Sequence, residues 1–321
     1  MKYKKLPIDE SFYQEEVRCG YTVSAEMKKI WAVELDLLYQ LQQVCDKLGI
    51  HYYASGGTLL GAIRHKGMIP WDDDIDVMMM RDDYETLCAH ADEFEDPYFL
   101  QFGKNSEGYF HGHAQLRNGN TTAVVKTEAH LHYSFNQGIF IDIFPLDHVI
   151  GDKKLRRRQA VLIDKYRDIA KKLYRTTKNY HPEEASRLRK AAHMVTPLIN
   201  RVVSYDQMYA KMEAEAQRYN NVPTDYVGKL TYSPFNVKLY DLVSEFDETL
   251  YVDFEMMKIA VPVGYEKHLR RQFGNYMEFV IGTSDHGSVY FDPDTPYDVW
   301  LDRFEQEHTA TGIRTKAAGE K

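Results

Sequence analysis

The sequence predicts an α/β (α+β) fold in which a mixed sheet is flanked by helices, with a helical insertion and a C-terminal α+β extension. Two observations predict it. Helical periodicity alternates with short β-rich runs in the first half of the chain, and a polar helical pattern then runs from Lys153 to about Tyr219. The 321 residues, 44% of them apolar, can bury one large core or two smaller ones. We expect one catalytic domain with additions.

The clearest predicted helix runs from Ser24 to Leu48, where apolar residues recur every three or four positions. Ser24 is suited to cap its start, and Gly49 to close its end. A strand over Ile50 to Ala54 follows. Gly56-Gly57 then predicts a tight turn, and Thr58 to His65 a short helix whose first N–H groups point outward, where they bind phosphate.

Acids alternate with other residues just ahead of the next predicted strand. Asp72, Asp74 and Asp76 lead into an apolar run that ends at Met80. Because alternate strand residues share a face, Asp74 and Asp76 are expected to project together. Two carboxylates about 4 Å apart repel by roughly 4 kcal/mol at an effective dielectric of about 20. The pattern therefore predicts a proton or a divalent metal between them, and hard oxygen ligands favour Mg²⁺ or Mn²⁺.

A third acid, Asp142, lies within the apolar segment from Gly138 to Asp147. An ionised side chain is costly in such a strand unless it is paired or holds a metal. Taken alone, the segment leaves open a salt bridge to Arg117. Together with Asp74 and Asp76, it predicts a shared metal site.

The remaining elements are predicted more briefly. Asp82 to Phe94 is expected to be helical, and Asn118-Gly119-Asn120 is a hairpin signal. The hairpin would join the last two of three β-rich runs, which are Tyr98 to Phe102, His113 to Arg117 and Thr121 to Val125. In the last third we expect a loop over Tyr226 to Phe235, two β-runs within Leu250 to Val263, a helix over Tyr265 to Phe273 and a disordered tail after His308.

Charge is distributed unevenly along the chain. The net charge is −8, but residues 152 to 190 contain fourteen Lys or Arg and five Asp or Glu, a balance of +9, which leaves −17 elsewhere. The overall negative charge argues against nucleic acid as a partner. The basic segment 153–190 predicts peripheral contact with an anionic membrane face or a polyanionic acceptor, and the alternative is a solvated helical face.

Location is predicted from what the sequence does not show. The first residues have no apolar signal segment, and no stretch approaches a membrane span, so we expect a cytoplasmic protein or one peripheral at the inner membrane face. Cys19, Cys45 and Cys88 have neither CxxC spacing nor an even count, which argues against zinc and disulfides.

The order of a Gly-Gly turn, paired acids and a third acid resembles the nucleotidyltransferase fold shared with polymerase β-like enzymes, in which three carboxylates bind two metals. The string from Gly56 to Leu87, GGTLLGAIRHKGMIPWDDDIDVMMMRDDYETL, more specifically resembles the signature of the LicD family, phosphorylcholine-transferase-like enzymes related to fukutin-related proteins. GIFIDIFPLD and VPVGYEKHLRRQFGNYM resemble two further segments of that family. Residues 1–150 are thus expected to form a nucleotidyltransferase-like catalytic core, 151–220 a basic helical insertion, and 221–321 a segment that completes the same domain.

The resemblance implies metal-dependent transfer of a phosphorylated alcohol, such as phosphocholine, from a CDP-linked donor to a glycan or glycolipid hydroxyl, with release of CMP. Such acceptors include teichoic acid, lipopolysaccharide and capsule. Asp74, Asp76 and Asp142 would be catalytic and would hold two Mg²⁺ or Mn²⁺ ions. Donor-binding residues are predicted to be Ser55, Gly56, Gly57, Thr58, Arg64, Lys66, Trp71 and Arg117.

Two of the neighbouring groups have less defined roles. Asp72 and Asp73 stand at the strand mouth, as support for the metal ligands or as solvated acids. His113 and Gln115 alternate with Arg117 and are expected to share its face, although a surface imidazole is preferred for His113.

Other functions remain open at this point. A calcium loop fits Asp72, Asp74 and Asp76 but fails at Val77, where glycine is required, and at Asp83, where glutamate is required. In a glycosyltransferase with a DxD site the apolar strand normally precedes the acids, whereas here it follows. A nucleotidyltransferase that uses a nucleoside triphosphate and a non-catalytic glycan-assembly scaffold are the remaining alternatives.

Overall fold

Residues 4–126, 129, 133–177, 203–282 and 289–310 are described by the computed structural model. Within them, a mixed sheet of seven strands is flanked by seven α-helices, which confirms the predicted α+β class. None of the helices in these ranges combines the length and the apolar character that a bilayer crossing requires.

Six of the helices correspond to predicted helical segments, and the seventh, at Tyr297–Ala310, was not predicted. The helices are α1 Ala25–Leu48, α2 Gly56–Arg64, α3 Arg81–Ala89, α4 Lys153–Thr177, α5 Tyr205–Ala216, α6 Tyr265–Phe273 and α7 Tyr297–Ala310. The described residues also contain five single turns of 3₁₀ helix, at Glu10–Tyr13, Ala91–Glu93, Gln217–Tyr219, Val237–Leu239 and Val243–Phe246.

The strands fall into one large sheet and three two-stranded sheets. They are β1 Glu16–Arg18, β2 Tyr21–Val23, β3 Tyr53–Ala54, β4 Asp76–Met80, β5 Tyr98–Gln101, β6 Ala114–Asn118, β7 Thr122–Val125, β8 Ile139–Val149, β9 Tyr226–Gly228, β10 Tyr240–Leu242, β11 Thr249–Phe254, β12 Met257–Pro262 and β13 Val289–Asp292.

Helix α1 forms because its ends are capped and one face is apolar. The Ser24 hydroxyl accepts a hydrogen bond from the Met27 N–H, and Gly49 ends the helix in the left-handed region at φ 68°. Its leucines, Leu35, Leu38 and Leu41 among them, are fully buried where α1 packs across β8 and β6. Truncation of any one to alanine is expected to cost about 2–5 kcal/mol.

Strand β8 is the centre of the large sheet and sets the register of the acids. It runs parallel to β4, which places Asp142 opposite Asp76, and antiparallel to β6, which places it opposite Gln115. Further along β8, β9 joins it antiparallel, with Gly228 opposite Asp147. The sheet therefore brings residues from distant parts of the sequence to one end of β4 and β8.

Helices α4 and α5 pack together over a second apolar core. Ile163 and Ala170 of α4 and Met212 of α5 are buried there, whereas Lys153 and Arg157 of α4 are exposed. This confirms a helical segment with a basic outer face. The part of the predicted basic segment from residue 178 to 190 lies outside the described residues.

Two local predictions are wrong. The hairpin at Asn118-Gly119-Asn120 does not form, because β6 is already paired on both edges by β5 and β8, and β7 pairs instead with β13. The expected loop over Tyr226 to Phe235 begins with strand β9, which adds to the edge of β8.

Other predictions need smaller changes or stay predictions. The strand expected over Ile50 to Ala54 is confined to Tyr53–Ala54, and the following helix begins at Gly56. The tail predicted as disordered lies, from residue 311, outside the described residues. The domain boundaries at 150 and 220 remain predictions, although β9 and β10 both belong to the large sheet.

Candidate active site

The predicted acids meet at the N-terminal ends of β4 and β8. Asp76 is the first residue of β4 and lies opposite Asp142. Oxygen atoms of Asp72, Asp73 and Asp74 lie within 4.8 Å of one another in the preceding loop. Asp74 is a loop residue and not a strand residue as expected, because β4 begins only at Asp76. The loop is held by the Trp31 indole, whose Nε1 donates to the Asp72 carbonyl at 2.9 Å.

The start of α2 lies directly against these carboxylates. Gly56 has φ +54°, and a Cβ added there would sit 3.4 Å from Asp76 Oδ2. A Cβ added at Gly57 would sit 2.6 Å from Asp72 Oδ2, closer than a real Cβ can approach. The left-handed φ of Gly56 and the absence of a side chain at Gly57 thus let the helix start lie against the acids, and its positive end favours the negative charge there.

The residues flanking the glycines tie α2 to β4. The Ser55 N–H donates to the Asp76 carbonyl at 3.0 Å, and the Asp76 N–H donates to Thr58 Oγ1 at 2.8 Å. The Ser55 hydroxyl is fully buried and has no hydrogen-bond partner among the described residues. An unpaired buried hydroxyl costs about 1–3 kcal/mol, so this atom is a natural contact for a bound ligand.

Strand β6 supports Asp142 through a chain of polar contacts. His113 Nε2 lies 3.2 Å and Gln115 Nε2 2.7 Å from Asp142 Oδ1. Arg117 donates to the Gln115 side chain and to the Gly138 carbonyl. The shared face predicted for these residues is confirmed. The surface location preferred for His113 is wrong, since its side chain is buried in the sheet interior at 4% exposure.

Arg117 therefore acts on Asp142 through Gln115, rather than by the direct salt bridge left open by the sequence. Burial alone would raise the pKa of Asp142, but His113 and Gln115 hold that pKa below its ordinary value. Asp142 thus stays ionised.

Asp76 behaves in the opposite way. Burial and the nearby Asp74 carboxylate raise the pKa of Asp76 to about 8, and burial raises the pKa of Asp72 to about 6. In the absence of a cation, these acids are therefore partly protonated near neutral pH.

Two buried residues that the sequence did not single out also interact electrostatically with the acids. Lys229, just after β9, is 6% exposed, and its Nζ lies 4.1 Å from the centre of the Phe144 ring. Burial lowers the pKa of Lys229, while Asp76 and the other acids oppose that shift. Glu34 of α1 is 1% exposed, and burial together with Asp74 raises its pKa well above the ordinary value.

Three predicted donor-binding residues form a different set of contacts. Arg64 Nη1 donates to the Tyr276 and Glu278 carbonyls at 3.0 and 2.9 Å. Lys66 is exposed, with φ +55°. Trp71 is half-buried and meets the His65 ring edge to face at 6.2 Å. The structure therefore places Arg64 against the C-terminal segment rather than with the carboxylates.

The raised pKa of Asp76 predicts a pH-dependent stability for the metal-free protein. Between about pH 4 and pH 8 the folded state keeps a proton that the unfolded state has lost, so the free energy of unfolding should fall as the pH rises through this window. Thermal melts in EDTA should show a lower Tm at pH 8 than at pH 6. The lowered pKa of Asp142 has its effect at more acidic pH and does not mask this loss.

Mg²⁺ and the Asp76→Asn variant provide the controls. Mg²⁺ at pH 8 should restore the lost Tm, because a cation stabilises the ionised carboxylates. Asp76→Asn in EDTA should lose less stability between pH 6 and pH 8 than the unaltered protein. An equal loss in both proteins would show that other groups cause it.

Known proteins resemble this chain over segments of different length. Residues 49–202 match the LicD/FKTN/FKRP nucleotidyltransferase domain. The lipopolysaccharide cholinephosphotransferase LicD of Haemophilus influenzae is 29% identical over 251 residues, which cover 76% of this chain and 88% of that protein. Shorter matches are to uncharacterised proteins of Rickettsia prowazekii, 44% identical over 62 residues, and Rickettsia typhi, 48% over 50 residues. These two cover 18% and 14% of this chain, and 23% and 16% of the relatives.

Proposed function

We propose that this chain, whose residues 49–202 match the LicD/FKTN/FKRP nucleotidyltransferase domain, is a LicD-type phosphotransferase that transfers a phosphorylated alcohol from a CDP-activated donor to a hydroxyl of a cell-surface glycan. Phosphocholine is the first candidate for the transferred group, by similarity to the lipopolysaccharide enzyme. CMP is the expected leaving group. The observation that carries the proposal is the register of Asp76 with Asp142 beside the Gly56-Gly57 helix start.

The side chains of the site fit one or two Mg²⁺ or Mn²⁺ ions. All the candidate ligands are carboxylate oxygens, which hard divalent cations prefer. The glycine backbone leaves no room for a Cβ beside Asp72, and Asp76 has a raised pKa that a cation would reverse. Asp74, Asp76 and Asp142 would hold the metal, and Asp72 would support them.

The bound metal would supply charge neutralisation for the phosphate oxygens and for the acceptor oxygen. In the reaction, the acceptor oxygen forms a bond to the donor phosphorus that carries the alcohol, and the bond from that phosphorus to the bridging oxygen of CMP breaks. The proton of the acceptor hydroxyl passes to one carboxylate of the cluster.

The surrounding residues then have defined roles. We expect the first N–H groups of α2 to bind the diphosphate, with the partnerless Ser55 hydroxyl supporting that end of the helix. The buried Lys229 ammonium group interacts electrostatically with Asp76 and Asp142, and we expect it to stabilise the leaving phosphate. His113 and Gln115 keep Asp142 oriented. Arg64 and Trp71 would meet the donor only at its outer end.

The test is release of CMP from CDP-choline, CDP-ethanolamine, CDP-ribitol and CDP-glycerol, alongside nucleoside triphosphates, with Mg²⁺ or Mn²⁺. We expect metal-dependent CMP release from one CDP-alcohol, lost in the Asp74→Asn/Asp76→Asn variant. Pyrophosphate from a triphosphate, with no CMP from any CDP-alcohol, would establish nucleotidyl transfer instead. No turnover of either kind would favour the non-catalytic scaffold.

We further propose that the outer face of α4 brings the enzyme to an anionic surface, such as the inner face of the membrane. Lys153, Lys154, Arg157 and Arg158 are exposed on this helix, opposite the side that packs on α5. Each such cation is worth about 1 kcal/mol near an anionic lipid surface.

Replacing these four residues with glutamine is expected to weaken binding to phosphatidylglycerol vesicles roughly a hundredfold or more in a sedimentation assay. CMP release from a soluble donor should not change. The matched control removes four positive charges elsewhere, at Lys238, Lys258, Lys267 and Arg270. Equal vesicle binding by both variants would mean that α4 has a merely solvated face.

A further inference from the structure

An aromatic cluster borders the carboxylate site on the side of the loop that follows β9. Its members are His113, Phe144 and Tyr232. The ring centres are 4.6 Å apart for His113 and Phe144, 4.9 Å for Phe144 and Tyr232, and 6.0 Å for His113 and Tyr232. The exposed fraction is 4% for His113 and 3% for Phe144, but 51% for Tyr232. Tyr232 is therefore the member of this cluster that a ligand can reach.

The two buried rings each contact a group that the proposed transfer uses. His113 Nε2 lies 3.2 Å from Asp142 Oδ1, and Lys229 Nζ lies 4.1 Å from the centre of the Phe144 ring. Tyr232 is thus one ring away from a predicted metal ligand and one ring away from the buried ammonium group. A ligand that lies against Tyr232 and extends inward would meet both.

The backbone carries Tyr232 and Lys229 in one turn. The Lys229 carbonyl accepts hydrogen bonds from the Tyr232 N–H at 3.1 Å and from the Ser233 N–H at 2.9 Å. Arg167 of α4 binds the same turn, since its Nη1 donates to the Thr231 and Tyr232 carbonyls at 3.1 and 3.3 Å. The ring is therefore carried by a hydrogen-bonded segment, which lowers the entropy cost of ordering it against a ligand.

A half-exposed tyrosine ring could bind three kinds of group from the reactants, namely a quaternary ammonium group, a sugar ring or a nucleobase. The Lys229 ammonium group already lies over the Phe144 ring beside Tyr232. It would repel a second cation brought to the same cluster. This argues against the alcohol part of a choline donor.

The choice between a sugar and a nucleobase follows from the neighbouring lysine. In the proposed function Lys229 stabilises the leaving phosphate, and that phosphate belongs to CMP. Tyr232 follows Lys229 by three residues in the same turn. We therefore expect it beside the nucleoside of the donor rather than beside the acceptor. Every base has a flat π face that can stack on an aromatic side chain.

We propose that Tyr232 stacks on the cytosine of the CDP-linked donor and of the CMP product, and that it thereby sets the affinity for the nucleotide. The identity of the ligand rests on the proposed function, but binding of CMP can be measured without turnover. Because the side chain is half exposed, its replacement should leave the fold intact.

Trp71 is the rival for this role, since it is the aromatic residue that the sequence assigns to donor binding. It belongs to a different aromatic group, in which its ring meets Tyr21 and His65 edge to face at 6.0 and 6.2 Å. Trp71→Leu is therefore compared with the Tyr232 variants.

The test is calorimetric titration with CMP and with ribose 5-phosphate, which lacks the base, in the presence of Mg²⁺. Tyr232→Leu should bind CMP about tenfold or more weakly than the unaltered chain, because it loses the stacking surface. Tyr232→Phe keeps the ring and should bind CMP normally. The matched control is Phe235→Leu, which removes a 52% exposed aromatic ring from the same loop and should also bind CMP normally. All of these proteins should bind ribose 5-phosphate equally.

Kinetics of CMP release give a second readout. Stacking on the base is the same in the bound donor and in the transition state, so Tyr232→Leu should raise the KM for the CDP-alcohol about tenfold and leave kcat nearly unchanged. A loss confined to kcat would contradict the inference, since it would mean that Tyr232 acts on the reacting atoms.

Other binding results also overturn the inference. These are normal CMP affinity in Tyr232→Leu, an equal loss for CMP and ribose 5-phosphate, a loss in Tyr232→Phe as large as in Tyr232→Leu, a loss that falls on Trp71→Leu instead, or no binding of CMP at millimolar concentration. If CMP binds as expected but no CDP-alcohol is turned over, the base subsite stands and the proposed transfer fails. If a CDP-alcohol releases CMP but CMP affinity does not depend on Tyr232, the transfer stands and the subsite fails.

Discussion

Asp76→Asn and Asp142→Asn should each lower turnover of the CDP-alcohol donor by roughly a thousandfold or more. Removing a metal ligand removes several kcal/mol of transition-state stabilisation, and each 1.4 kcal/mol is about tenfold in rate. The fold should survive, because an amide in place of the Asp76 carboxyl relieves the repulsion that, together with burial, raises its pKa to about 8. The same loss of turnover is expected for Asp74→Asn.

The measurement is CMP release at saturating Mg²⁺, together with the Mg²⁺-induced rise in Tm. Asp82→Asn is the matched control, since Asp82 is an exposed carboxylate in the first turn of α3 near the other end of β4. It should keep both turnover and the Tm shift. Near-normal turnover of any of the three site variants would remove that residue from the metal-ligand set.

The parts of this fold that rest on local signals were predictable. Helix α1 has its cap, its apolar periodicity and its terminal glycine within one stretch of sequence, and the structure places its ends at Ala25 and Leu48, as predicted. The β6–β7 hairpin signal failed for the opposite reason. The Asn118-Gly119-Asn120 turn is local, but the partner of β7 is β13, whose competition for that edge has no local signal.

The site shows the same division. Asp76 and Asp142 each lie in or beside an apolar run, where an ionised side chain is costly unless it is paired or holds a metal. The sequence could therefore suggest that the two acids come together. Glu34 also left a signal, because it interrupts the apolar face of α1 between Ile30 and Leu37 and a polar residue there must find a partner. Its electrostatic interaction with the aspartates became visible only with the packing of α1.

Lys229 had no usable signal. It follows a three-residue strand within a segment that reads as a loop, and its approach to Asp76 depends on β9 joining β8. Likewise, the burial of His113 depends on β6 having neighbours on both sides. Alternation along a strand predicts which residues share a face, but only the arrangement of the whole sheet decides whether that face is exposed to solvent.

Lys229→Met should lower turnover of the donor roughly a hundredfold, since it removes a buried cation that interacts with Asp76 and that we propose stabilises the leaving phosphate. Its effect on stability should be small by comparison. The pKa of Lys229 is lowered by burial in spite of the surrounding acids, so the charged side chain is itself costly to bury, and methionine of similar size avoids that cost.

The variant also separates two roles for the cation. If Lys229 only balances the carboxylates in the absence of metal, saturating Mg²⁺ should return Lys229→Met to normal turnover. If the ammonium group acts on the donor phosphate, as we expect, the loss should persist at saturating Mg²⁺. Lys238→Met, which removes an exposed cation from the same part of the chain, should have normal turnover at every Mg²⁺ concentration. Full recovery of turnover in Lys229→Met would mean that another cation neutralises the leaving group. Arg64 would have to leave its contacts with Tyr276 and Glu278 to do so.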